Sequence, residues 1–208
     1  MLRFLRRLAG LGTPWDFPER RLGERHLVLV RHGEAAAGWS EDPDPGLSER
    51  GRDQAEAVAD DLAHLGPLPL VVSPLRRCRE TAVPLEARWG APARVEPAVG
   101  EIVAPASAAG VAARGAWLRT ALAGRWADLD AEHRAWRAGV LAALRALPGD
   151  AVVVTHFVAT NVAVGEATGD DRVACFAPAF GSRTFLRVAP DGGLGVVKLG
   201  DAGATQVL

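Results

Sequence analysis

The stretch "LVLVRHGEA", Leu27 to Ala35, runs four apolar residues directly into Arg31, His32 and Gly33. Two other segments have the same form. "VVSPLRRCRETA" follows an apolar run with Ser73, Arg76 and Arg77, and "VVVTHF" ends one on Thr155 and His156. Arginines and histidines delivered together by strand ends make a site for a compact, highly charged anion. A phosphoryl group fits best: guanidinium forks meet phosphate oxygens two at a time, and a neutral imidazole is a competent nucleophile near pH 7.

The elements that must carry these residues alternate along the chain. Leu27 to Val30, Leu70 to Ser73 and Ala151 to Thr155 are short Val- and Leu-rich runs, read as interior strands covered on both faces. In open α/β sheets ligands bind beyond the carboxyl ends of such strands, which is where Arg31, His32 and His156 would stand. Ser48 can cap a helix with Ala55, Val58, Leu62 and Leu65 at helical spacing, stopped by Gly66 and Pro67. Leu75 to Trp89 reads as a second helix, with Pro84 as a kink and Gly90 past its end. Ala93 to Glu96 adds a strand, and "RTFLRVAPDGGLGVVKLG" reads as a hairpin turning at Pro190 to Gly193. Between them, residues 103 to 150 hold about one to three Ala- and Trp-rich helices with no intervening strand, read as a helical cap or subdomain. The expected fold is α/β: a three-layer sandwich with a mostly parallel central sheet flanked by helices, plus that insert. Residues 1–26 form an N-terminal extension and 27–208 a single domain.

Composition excludes several functions. At 208 residues and 49% apolar content the chain can bury a full core. Lys+Arg is 24 against Asp+Glu of 25, a formal net charge of -1, so nothing global draws it to nucleic acid or an anionic membrane. No apolar run reaches the roughly 18–20 residues of a transmembrane helix; "MLRFLRRLAGLG" is too interrupted for a signal-peptide core and reads as a docked or frayed amphipathic extension, with an address or interfacial segment as the alternative. Cys78 and Cys175 form no disulfide framework and favour a reducing, cytoplasmic location, although a bond between the two stays open.

"VRHGEA", "DPGLSERGRDQAEAVADDL", "VVSPLRRCRETA", "VGEI" and "VVVTHF" together resemble the histidine phosphatase superfamily, the phosphoglycerate-mutase-like enzymes with an RHG motif. The specificity lies in the ordered set more than in RHGE alone. The resemblance implies that His32 is a nucleophile phosphorylated on a ring nitrogen and that Arg31, Arg77 and His156 hold the phosphoryl oxygens. It implies that Glu101, in "VGEI", is the general acid and base, with Glu96 close by as the alternative. Gly33 would admit the backbone to the phosphate, Glu34 would orient neighbours, and Arg76 would face solvent. The expected activity is a metal-independent phosphomonoesterase without cofactor, acting on a small phosphorylated metabolite or a phosphoprotein. A mutase-like phosphotransferase and a catalytically weak binding or scaffolding relative are the alternatives. Trp39 and Ser40 replace the W-N pair of mutases, and the segment between Glu101 and His156 is short, which favours water as acceptor. Phe157 stands where relatives often have Gly.

Other constellations read as structural. Glu41, Asp42 and Asp44 in "EDPDP" lack the spacing of a calcium loop and are expected in a solvated loop near the site mouth. Glu132 beside His133 makes no HExxH, and "DGGLG" is a turn. His26, His64 and His133 are expected at the surface or a boundary. Trp117, Arg119, Arg125 and Trp126 either line the mouth or pack the insert.

Overall fold

The computed structural model describes residues 21–37, 42 and 44–203. Residues 1–20 of the expected extension, and Trp39, Ser40 and Glu41, lie outside the described residues. Six strands form one sheet: β1 (Arg25–Arg31), β2 (Leu70–Val72), β3 (Arg94–Val95), β4 (Ala151–Thr155), β5 (Arg183–Val188) and β6 (Leu194–Lys198), in the order β3-β2-β4-β1-β5-β6. The first four in that order run parallel, and the β5–β6 hairpin closes one edge antiparallel.

Alternation along the strands sends neighbouring residues to opposite faces. Val28, Val30, Val72, Val152 and Val154 pack with Val58, Leu62, Ala82 and Leu85 of α1 (Glu49–Leu62) and α2 (Arg76–Trp89). Leu27, Leu29, Val71 and Val153 pack with Val140, Leu144, Val158 and Val162 of α4 (Ala131–Arg145) and α5 (Phe157–Thr168). This is the expected three-layer sandwich. α5 is buried without a break from Phe157 to Gly165, as a helix that is apolar all round must be.

Local signals set the helix ends. Ser48 accepts the Gly51 amide at 2.9 Å to cap α1, which ends at Leu62 before a 3₁₀ turn, Ala63–Leu65. α2 ends on Gly90 at φ 61°, and Pro84 lies within it. The amide of Arg76, first in α2, donates to Asp44 Oδ1 at 2.8 Å, so Asp44 helps to cap that helix instead of lying free in a solvated loop. The hairpin turns where expected, with the Gly193 amide donating to Asp191 Oδ1 at 2.9 Å.

Several expectations need correction. β1 starts at Arg25, not Leu27, because the antiparallel ladder continues to Arg25↔Val188 and His26↔Arg187. His26 is therefore buried, and its amide donates to Asp150 Oδ1 at 2.8 Å. His133 is buried too: Nε2 lies 2.9 Å from the Val103 carbonyl oxygen and the ring packs against Trp117. His64 is exposed, as expected. The segment 103–150 contains α3 (Val111–Ala123), a 3₁₀ turn at Trp126–Asp128 and α4. It is not a separate cap throughout: α4 is a layer of the sandwich, since Val140, Leu141 and Leu144 share a core with Ala151 and Val153. Cys78 and Cys175 are both free thiols.

Candidate active site

β1 and β4 are adjacent and parallel with Arg31 opposite Thr155, so His32 and His156 leave the sheet side by side. The His32 amide donates to Thr155 O at 3.0 Å, and the two imidazoles meet edge to face at 5.1 Å between centroids. β2, on the other side of β4, is followed by Ser73, whose amide donates to Val154 O.

His32 is locked in one tautomer. Nδ1 lies 2.7 Å from the Gly33 carbonyl oxygen, which can only accept, so Nδ1 carries the proton. Nε2 is left with its lone pair and accepts from Arg77 Nε at 3.2 Å. Burial, then the charges of Arg77 and Arg31, hold the ring well below the usual histidine range and keep it neutral.

Arg77 is 2% exposed and bridges both imidazoles, with Nη2 3.2 Å from His156 Nδ1. His156 Nε2 then faces Ser73 Oγ at 2.8 Å. Burial, His32 and both arginines depress the His156 pKa. Arg31 donates to the Pro178 carbonyl at 2.7 Å, and its guanidinium lies 3.9 Å above the Phe180 ring and 5.3 Å from that of Phe157. Burial lowers its pKa to about 10, which leaves it charged at neutral pH. Phe157 is thus part of the wall that orients Arg31.

Glu101 follows a 3₁₀ turn, Pro97–Val99, and brings Oε2 to 3.7 Å from His156 Nδ1. Burial pushes its carboxyl up to about 7, against the opposing pull of Arg77, the Ile102 amide, Arg31 and the Val158 amide. Glu96 points elsewhere: it pairs with Arg94 at 2.9 Å and accepts the Ala98 amide, and both lower its pKa. Arg76 is exposed and paired with Glu80 at 2.7 Å. The structure therefore brings Arg31, His32, Arg77, Glu101 and His156 together and leaves Glu96 and Arg76 outside.

The loop after β1 is fixed by close backbone packing. A Cβ on Gly33 would lie 2.5 Å from Gly51 O, and the Gly33 amide donates to Thr81 Oγ1 at 3.0 Å. Glu34 accepts from Ser48 Oγ at 3.0 Å and lies 3.6 Å from Arg50. In the insert, Trp126 is buried against Trp136, half-buried Trp117 packs on His133, and Arg125 pairs with Asp171 at 3.5 Å. These side chains pack the fold. Arg119 is exposed.

Sequence reasoning missed three participants. Phe180 stacks on Arg31 from a loop whose only signal was "APAFGS", an aromatic set between small residues and a glycine. Cys78 places Sγ 3.3 Å from His156 Nε2, with burial raising its thiol out of reach of ionisation. Arg114 lines the cavity beside Glu101. Among the described residues no three His, Cys, Asp or Glu side chains gather to hold a metal, and no helix is long and apolar enough to cross a membrane.

The family model for the histidine phosphatase superfamily (branch 1) matches residues 27–198. A glucosyl-3-phosphoglycerate phosphatase of Mycolicibacterium vanbaalenii is 35% identical over 161 residues, 71% of this chain and 66% of that protein. One from Mycobacterium tuberculosis is 42% identical over 76 residues, 35% of this chain and 34% of its own length. The alignments thus span about two thirds and one third of these relatives. The solved structure of a mycobacterial glucosyl-3-phosphoglycerate phosphatase with VO3 superposes with a TM-score of 0.58 at 26% identity, covering 78% of this chain and 92% of that one.

Proposed function

This chain belongs to the histidine phosphatase superfamily, and from that premise we propose that it hydrolyses phosphate monoesters of a small metabolite through a phosphohistidine on His32. The observation that carries the reading is the His32 ring: Nδ1–H is held by Gly33 O, and the Nε2 lone pair faces the Arg77 fork. In the first half-reaction Arg77 Nε–H moves from that lone pair to a phosphoryl oxygen, and the freed lone pair attacks phosphorus as the ester P–O bond breaks. Glu101, protonated up to about pH 7, gives its proton to the leaving oxygen. Arg31 and Arg77 bind the phosphoryl oxygens where negative charge concentrates, supplying the positive field a metal gives elsewhere, and neutral His156 adds a hydrogen bond. In the second half-reaction the Glu101 carboxylate takes a proton from water, the water oxygen attacks phosphorus, and the P–N bond breaks. Inorganic phosphate leaves and Glu101 is again protonated.

The free thiols of Cys78 and Cys175 support a reducing compartment, the cytoplasm. The test is direct. His32→Ala should abolish turnover of p-nitrophenyl phosphate measured in EDTA. Wild-type enzyme quenched without acid should carry label from the substrate's phosphate that survives alkali and is lost in acid. Label on serine, activity in the variant, or dependence on a divalent ion would overturn the mechanism.

A further inference from the structure

A cavity of about 610 Å3 opens directly from Arg77 and Glu101, bounded by the 97–110 segment and the start of α3. Resting on the phosphatase reading, a proton donor must face the oxygen that leaves, so the leaving group extends into the cavity that Glu101 lines. The chemistry of that wall is unusual for a site that would take a sugar. Leu75, Pro97, Ile102, Val103, Ala104 and Pro105 supply no side-chain hydrogen bond, and Val103 is held 74% exposed. Apart from Arg77 and Glu101, the one lining side chain able to hydrogen-bond is Arg114, an exposed residue of α3 with no ion pair among the described residues. The Gly110 cap of α3 offers no side-chain oxygen and the first turn holds no acid, so nothing there offsets the positive charge of Arg114.

We propose that this cavity selects phosphate esters whose alcohol is apolar and ends in an anionic group, a carboxylate or a second phosphate, which Arg114 engages. A polyhydroxylated alcohol would set its hydroxyls against Pro, Ala and Ile, which offer them no side-chain partner, and would forgo the apolar contact these residues make. The wall is braced for recognition: Val103 O lies 2.9 Å from Nε2 of buried His133, which fixes the segment between Glu101 and α3.

The probes are 4-propylphenyl phosphate and 3-(4-phosphonooxyphenyl)propanoate, which match in size and leaving group and differ in the terminal carboxylate, with glucose 6-phosphate as the hydroxylated comparison. Their benzylphosphonate analogues report Kd without turnover. The carboxylate should raise kcat/KM and tighten Kd about fivefold, the most that an exposed ion pair typically supplies. Arg114→Ala should bring that ratio close to one. Arg114→Glu should invert it in favour of 4-(2-aminoethyl)phenyl phosphate, and Arg114→Lys should retain part of it. A wild-type ratio near one, a ratio indifferent to Arg114, or a higher kcat/KM for glucose 6-phosphate would overturn the proposal. Phosphonates that bind with this selectivity while no ester is hydrolysed would remove the phosphatase reading and keep the cavity's specificity.

Discussion

His32 and Glu101 need opposite proton inventories at the same pH, one ring bare and one carboxyl protonated, and a single cause supplies both. Burial disfavours whichever form is charged, so it drives the imidazole to lose its proton and the carboxyl to keep one. The working window lies above the depressed pKa of His32 and below the raised value of Glu101. For an alkyl phosphate, kcat/KM corrected for substrate ionisation should therefore hold steady in mild acid and fall about tenfold per unit once pH rises past 7. Glu101→Gln should erase that limb and lower the plateau by roughly 10²-fold or more, while Glu96→Gln should keep the limb. A Glu101→Gln profile that still bends near 7 would assign the proton to another group. At this scale the sequence was most legible where function lies on strand ends, because an Arg-His pair after a Val run has few structural uses. Phe180 and Cys78 were not legible, since each matters through a partner more than 75 residues distant, Arg31 and His156 respectively.

At the level of elements, α1 works as a clamp on the loop that carries the nucleophile. Gly51 in its first turn packs so closely on the Glu34 carbonyl that a Cβ there would overlap it, while Ser48 both caps the helix and donates to Glu34. Gly51→Ala should accordingly destabilise the protein by about 1–3 kcal/mol in urea unfolding, and should lower kcat because the His32–Glu34 backbone has to move. Unchanged stability and kcat would show that the clamp yields without consequence. Helix boundaries set by caps and glycines, such as Ser48 and Gly90, could be read from sequence because the signals are local. The beginning of β1 and the burial of His26 and His133 could not, since β5 and the Val103 carbonyl come from remote parts of the chain.

Across the molecule, the sheet is packed on both faces. Trp126, 1% exposed and stacked on Trp136, belongs to the core on the α4–α5 face; Trp126→Ala should remove about 3–5 kcal/mol of stability. Its residual activity, measured well below its unfolding midpoint, should stay within a few-fold of wild type. A loss confined to kcat would place Trp126 in the site instead. The three-layer class was readable from alternating strand and helix patterns, whereas the role of α4 as a layer was hidden because no strand precedes it to mark a crossover. The sheet order has one more consequence. β4 slots between β1 and β2, so His156 joins His32 and Arg77 only after some 120 residues of intervening chain have been made. A nascent polypeptide that has emerged as far as β3 already holds His32 and Arg77, yet its sheet has a gap where the second imidazole belongs. The site is therefore a product of the whole sheet: β4 supplies the second imidazole, and Arg31 finds Pro178 and Phe180 only in the chain that follows it.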